Sequence, residues 1–201
     1  MKKLILPFLM LVLVSFTASE AKLTEAERAL AISEMTKTND HLVSALGGLS
    51  EDQLHFKASP QSWSIAECVE HIALSENNIF GMLQGTLATE ADPSKRDEVK
   101  LTDEQILKMI VDRTNKVKTS EAFEPSGKFG SFEATVEEFM KRRAENIAYV
   151  KNTEDDLRNR YAELPIGTID AYQILLFMSA HTERHILQIE EVMEDENFPE
   201  E

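Results

Sequence analysis

Thr168-Ile169-Asp170-Ala171-Tyr172-Gln173-Ile174-Leu175-Leu176-Phe177-Met178-Ser179-Ala180-His181-Thr182-Glu183-Arg184-His185-Ile186-Leu187-Gln188-Ile189-Glu190-Glu191-Val192-Met193 is the most strongly patterned stretch of this 201-residue chain. At about 100° per residue, Ile174, Phe177, Met178, Ile189 and Val192 fall on one face, as an amphipathic helix requires. Pro165-Ile166-Gly167 breaks the chain just before it, so the pattern predicts a helix over about 168–193. After Arg184 there is no further Lys or Arg, while acidic residues crowd the end. Negative charge at a helix C-terminus opposes the macrodipole. The tail beyond Met193 is therefore expected to fray into solvent, with cation capture as the functional alternative.

Upstream, the same pattern recurs. Thr24-x-x-Glu27 is a capping box opening a helix that ends at Gly47-Gly48, and Ser50-x-x-Gln53 starts one short turn. Ser64-x-x-Glu67 opens a longer helix to about Ala88, with Ile65, Cys68, Val69, Ile72, Ile79, Phe80 and Leu83 in one arc. Residues 89–100 read as loop, and Thr102-x-x-Gln105 caps a modest helix to about Thr119 carrying Ile106, Met109, Ile110 and Val117. Ser131 to about Asn152 reads as another helix, with Phe132, Val136, Phe139, Met140, Ile147 and Val150 apolar. No strand pattern competes, so the fold class expected is all-α.

Composition agrees. The chain is 42% hydrophobic and 28% charged, with only seven Gly and six Pro, which favours long regular elements over short strands and tight turns. Its net charge of -15 would repel a phosphate backbone, so no nucleic-acid partner is expected. The single cysteine, Cys68, excludes an intrachain disulfide and multi-cysteine zinc sites.

Lys2 and Lys3 precede an uncharged stretch from Leu4 to Ser19, and Ser19-Glu20-Ala21 has the small-x-small form of a signal peptidase site. The stretch is shorter than the roughly 20 residues a spanning helix needs. Residues 1–21 are thus expected to be a signal peptide cleaved after Ala21, leaving no stable membrane anchor. An uncleaved anchor is the alternative. The mature domain is expected over 22–195, followed by an acidic tail at 196–201, with an exported, periplasmic or secreted location.

His181 and His185 lie four apart on one helical face, about 40° from each other and inside the apolar stripe, where two imidazoles can reach one metal ion. Buried polar groups need partners, and two readings stay open from the residues alone: metal ligation, or a hydrogen-bonded core pair. Zincins place a glutamate directly after the first histidine. Glu183 instead sits on the far side of the helix, facing solvent, so any general base must come from elsewhere or from the metal's own water. His71 lies at the margin of the second helix's apolar arc, the position of a packed interface residue. His41 and His55 read as solvated.

Trp63-Ser64-Ile65-x-Glu67-x-x-Glu70-His71-Ile72, then Pro165-x-Gly167, then Ala180-His181-x-x-Arg184-His185-x-x-Gln188-Ile189 together resemble the DinB family of metalloenzymes, over most of the chain after residue 21. The resemblance implies a four-helix bundle, here with an additional short helix, in which His71, His181 and His185 bind a divalent metal, commonly zinc or nickel. Three neutral nitrogens leave positions open for water or a small-molecule substrate, the pattern of a catalytic site. Relatives include thiol-dependent S-transferases and a thiol-dependent isomerase, and others are described as hydrolases; the family also suggests a homodimer. Those thiols are intracellular, so an exported chain favours hydrolase-like chemistry over thiol transfer, and a non-catalytic metal- or partner-binding bundle is the competing class. Three neighbours are pocket candidates: Gln188 as a support or substrate contact, Glu67 as an acceptor for His71 beside its capping role, and Cys68, whose plainer role is a core thiol. Trp63 is expected to close the bundle end.

Overall fold

Every capping box read above is formed. In the computed structural model, which describes residues 22–115 and 117–200, the side chains of Thr24, Ser50, Ser64 and Thr102 accept from the backbone N–H three residues on. The Glu or Gln there accepts from the cap residue's own N–H. The helices so opened are α1 (Glu25–Ala45), α2 (Glu51–His55), α3 (Ile65–Leu87) and α4 (Asp103–Val111); α5 (Phe132–Asn152) and α6 (Ala171–Met193) follow. Gly48 takes φ 81° just past α1, a left-handed conformation that explains the Gly47-Gly48 stop. The leader expected at residues 1–21 lies outside the described residues. Among these residues, no helix is long and apolar enough to cross a membrane.

The four long helices α1, α3, α5 and α6 form the bundle. Tyr172 Oη donates to the Glu27 carbonyl and Thr38 Oγ1 lies 3.2 Å from Ser179 Oγ, so α1 and α6 run the same way. Arg28 reaches the Val150 carbonyl while Arg143 reaches that of Met35, so α5 runs against α1. Glu76 meets Arg143 and the Phe80 ring meets Tyr149, which sets α3 parallel to α5. The order is thus up, down, down, up. Two consecutive down helices require the chain to travel back along the bundle, and residues 88–131 make that crossing, with α4 packed against α6 on the way. This long crossover covers the site described below.

The core is polar at its centre. Arg143 and Glu76 form an ion pair with both side chains fully buried, at 2.8 and 2.9 Å. Arg143 also donates to the Met35 carbonyl, Thr38 Oγ1 and Thr182 Oγ1, and Asn146 donates to Glu76. The network therefore ties all four long helices together. At the opposite end of α6 from its acidic tail, Arg158 joins Glu27 of α1, Asp103 of α4 and the buried Asp170.

Five expectations are corrected. The all-α class omits an antiparallel hairpin, β1 (Tyr161–Leu164) and β2 (Gly167–Asp170), pairing Tyr161 with Asp170 and Leu164 with Gly167. Pro165 and Ile166 form its turn. Strands of four residues are too short to show alternation, and α6, expected from about 168, starts at Ala171, with Asp170 capping it through a box with Gln173. Helix α4 stops at Val111 because the Arg184 guanidinium takes the carbonyls of Ile110, Asp112 and Asn115, and Val117 is 80% exposed. Residues 93–98, read as loop, contain a 3-10 turn. Finally, the tail does not fray: Phe198 packs edge-on against Phe56 at 5.5 Å and Gln53 donates to the Pro199 carbonyl at 2.9 Å. The half-buried Phe56–Phe198 contact and the Gln53 hydrogen bond together offset a surface dipole penalty of about 0.3–1 kcal/mol.

Candidate metal centre

Because α3 and α6 run antiparallel and touch along their length, the histidines near the start of α3 and the middle of α6 meet. His71 Nε2 lies 3.0 Å from His185 Nε2 and 3.4 Å from His181 Nε2. Among the described residues these three form the group able to hold a metal ion, with one nitrogen of each within 4.8 Å of the others. His71 and His185 are 3% and 8% exposed, while His181 keeps partial exposure although its Nδ1 is fully covered.

The protons on two rings can be placed from their partners. His71 Nδ1 lies 2.7 Å from the Phe123 carbonyl, which only accepts, so Nδ1 carries the hydrogen. His185 Nδ1 lies 3.0 Å from Gln188 Oε1, an oxygen that also accepts from Arg113 at 3.2 Å. Both rings therefore carry their hydrogen on Nδ1 and present bare Nε2 lone pairs to one another at 3.0 Å. Two lone pairs repel at that distance unless a cation lies between them. Ligands about 2.0–2.1 Å from a tetrahedral zinc stand roughly 3.3 Å apart, which matches the spacing found. Neutral imidazoles suit zinc or nickel better than magnesium or calcium, so the residues fit a divalent transition metal.

Burial keeps the rings neutral. It pushes the His71 and His185 pKa values down, and that of His181 down to about 3, with His71 and Arg184 adding to the effect on His181. Aromatic rings wall the cluster. Trp63 lies with ring centroids 4.9 Å from His71 and 6.2 Å from His185, and Phe177 stacks on His181 at 6.0 Å.

The crossover that supplies the Phe123 carbonyl is fastened by Glu70. Its carboxylate accepts from the backbone N–H groups of Ser126, Gly127 and Lys128 at 2.8–3.1 Å. Gly127 takes φ 73°, which allows the loop to turn its amides inward. Glu70→Ala is expected to lower stability by about 1–3 kcal/mol, since three amides lose a charged acceptor. A urea denaturation midpoint within error of the parent's would contradict this.

Of the other candidates, Gln188 lies against a ring, its Oε1 3.0 Å from His185 Nδ1. Glu67 does not orient His71; it closes its capping box and pairs with Lys57 at 2.7 Å. Cys68 is buried in the apolar cluster with Ile65, Ile72 and Ile186, and burial pushes its thiol pKa up to about 12. Glu183 is not solvent-facing: it lies 3.1 Å from His41 Nδ1, whose Nε2 lies 3.0 Å from Glu190. His41 is thus a clamp between α1 and α6 and not a solvated side chain. Burial alone would lower its pKa, but the hydrogen bonds and charges of Glu183 and Glu190 outweigh this and raise it above 6.5. The clamp's contribution is fully present below the ordinary pKa and is lost as pH rises through the raised one. The melting-temperature difference between the parent and His41→Gln should therefore shrink from pH 6 to pH 9; a difference constant over that range would count against the clamp. Sequence reasoning gave no role to Phe123, Arg113 or Glu70. Only Glu70 left a trace, since it stands beside His71 while Ser126-Gly127 offers a glycine turn for its acceptor oxygens.

The sequence model of the DinB superfamily matches residues 34–189, which span α1 to α6 and include all three histidines. The chain belongs to the DinB superfamily. Its relatives include YuaE of Bacillus subtilis (strain 168), an uncharacterized protein 27% identical over 150 residues, covering 74% of this chain and 88% of YuaE. Among solved structures, YfiT from Bacillus subtilis matches with a TM-score of 0.57 and 16% identity, over 85% of this chain and 88% of that one. YfiT is described as a probable metal-dependent hydrolase with an unusual four-helix bundle topology. The DinB-type bundle here has the up, down, down, up order set by its long crossover.

Proposed function

We propose that this DinB-superfamily chain holds zinc or nickel on the Nε2 atoms of His71, His181 and His185 and acts on a small molecule by hydrolase-like chemistry. The observation that carries the reading is the convergence of three ring nitrogens, two of them fixed as bare lone pairs by Phe123 and Gln188. A divalent ion supplies Lewis acidity toward water or a substrate oxygen. The protein's own part is to hold the Nδ1 protons, to fix Gln188 through Arg113, and to exclude bulk water with Trp63, Phe123 and Phe177. Glu183 is engaged by His41 and Glu67 by Lys57, so neither acts as the general base.

A thiol transferase would take its thiol from a cosubstrate, because Cys68 is buried. The leader-like residues 1–21 support export to the periplasm or medium, where intracellular thiols are absent, and so favour hydrolysis. Intact mass of exported protein should begin at Lys22; a chain still carrying Met1 would refute cleavage. The second reading, a non-catalytic metal-binding bundle, is favoured by the low exposure of His71 and His185. A cleft of about 380 Å³ between α3 and α5, lined by Glu76, Asn77, Phe80 and Arg142 among others, includes none of the three histidines. Cobalt-substituted protein separates the two. Azide should perturb its visible spectrum if a coordination position is open, and an unresponsive spectrum would assign the metal a structural role.

A further inference from the structure

Two of the three histidine rings have an acceptor for their Nδ1 hydrogen, and the third does not. His181 Nδ1 is buried without a hydrogen-bond partner. Ser75 Oγ is a second such atom, on a residue 2% exposed. Ser75 stands one turn after His71 on α3, about 40° round the helix from it. Asn78, about 20° to the other side of His71, points at the crossover, where it donates to the Ala122 carbonyl. Glu76, about 100° further round than Ser75, points at α5. Ser75 is therefore directed between these, toward α6. The level is also fixed: His71 meets His181 and His185, and Glu76 meets Arg143, which donates to Thr182. Antiparallel packing places Ser75 opposite the turn of α6 that carries Met178 to His181.

We infer that Ser75 is the missing support for His181: its hydroxyl accepts, through one bridging water, the hydrogen on His181 Nδ1, and so holds His181 Nε2 toward the metal. This rests on the metal reading above. Two buried polar atoms without a protein partner, carried on facing turns of α3 and α6, offer such a water two partners, and supports of this kind change metal affinity by about 10–100-fold. Ser75 is a positioning residue and does not itself ligate.

The test compares zinc affinity, by chelator competition, with the melting temperature of the metal-free protein. Ser75→Ala should weaken zinc binding about tenfold or more, while Ser75→Thr, which keeps the hydroxyl, restores it. Metal-free Ser75→Ala should melt close to the parent, because the hydroxyl has no direct protein partner that the substitution would strand. In zinc-loaded parent protein the His181 Nδ1 hydrogen should give a slowly exchanging proton resonance that broadens in Ser75→Ala. Equal zinc affinity of the parent and Ser75→Ala would overturn the role of Ser75 and leave the three-histidine site standing. A parent protein that binds no zinc or nickel would instead overturn the metal reading, and the role of Ser75 with it.

Discussion

Arg143→Met should destabilise the protein by about 3–5 kcal/mol, the largest single-residue loss expected in the fold. The guanidinium is fully buried and makes five hydrogen bonds, two to Glu76 and one each to the Met35 carbonyl, Thr38 and Thr182. Removing it leaves Glu76 as an uncompensated buried carboxylate whose remaining partner is Asn146. The cost is in the stranded charge more than in the lost attraction. That distinction is measurable, because Arg143→Met combined with Glu76→Leu removes both charges and should recover much of the loss. Urea denaturation of the two variants decides it. A double variant as unstable as the single one would mean that the network matters for its shape and not for its charge balance.

The second large effect concerns metal. Untagged protein should carry about one zinc or nickel per chain by elemental analysis, and His71→Ala or His185→Ala should lose it. A ligand that binds only the folded state at 100 to 1,000 times its dissociation constant adds about 2.7–4.1 kcal/mol of stability. Chelation should therefore lower the melting temperature of the parent and leave both variants unmoved. His185→Ala also frees Gln188, whose oxygen then keeps only its bond from Arg113. Substoichiometric metal in all three proteins, with melting temperatures indifferent to chelator, would remove the central proposal.

The two predictions differ in how readable their residues were. His71, His181 and His185 could be singled out because a four-residue spacing within an apolar stripe, and a motif around Glu70-His71, are local patterns. Arg143 carried no such signal. On α5 it stands beside Arg142, which is half-exposed and bonds Glu138 and Glu145 of its own helix; nothing in the order of residues says which of two neighbouring arginines enters the core. That depends on Glu76, 67 positions away. His41 and Glu183 show the same limit, being 142 positions apart.

The starts of α1 to α4 were determined by the sequence alone, since a capping box is satisfied within four residues and does not depend on the rest of the chain. The apolar faces of α3 and α6 and the excess of acid were likewise written into the chain. Where α4 ends was set with Arg184 of α6, which takes the carbonyls of Ile110 and of Asp112 and Asn115 just beyond it, and the acidic tail was held by Phe56 and Gln53 against the dipole of α6. The direction of each helix, and with it the crossover that brings Phe123 to His71, came only from tertiary packing. A hydrogen bond between distant residues has no local signature, because its energy appears only once the loop between them has closed.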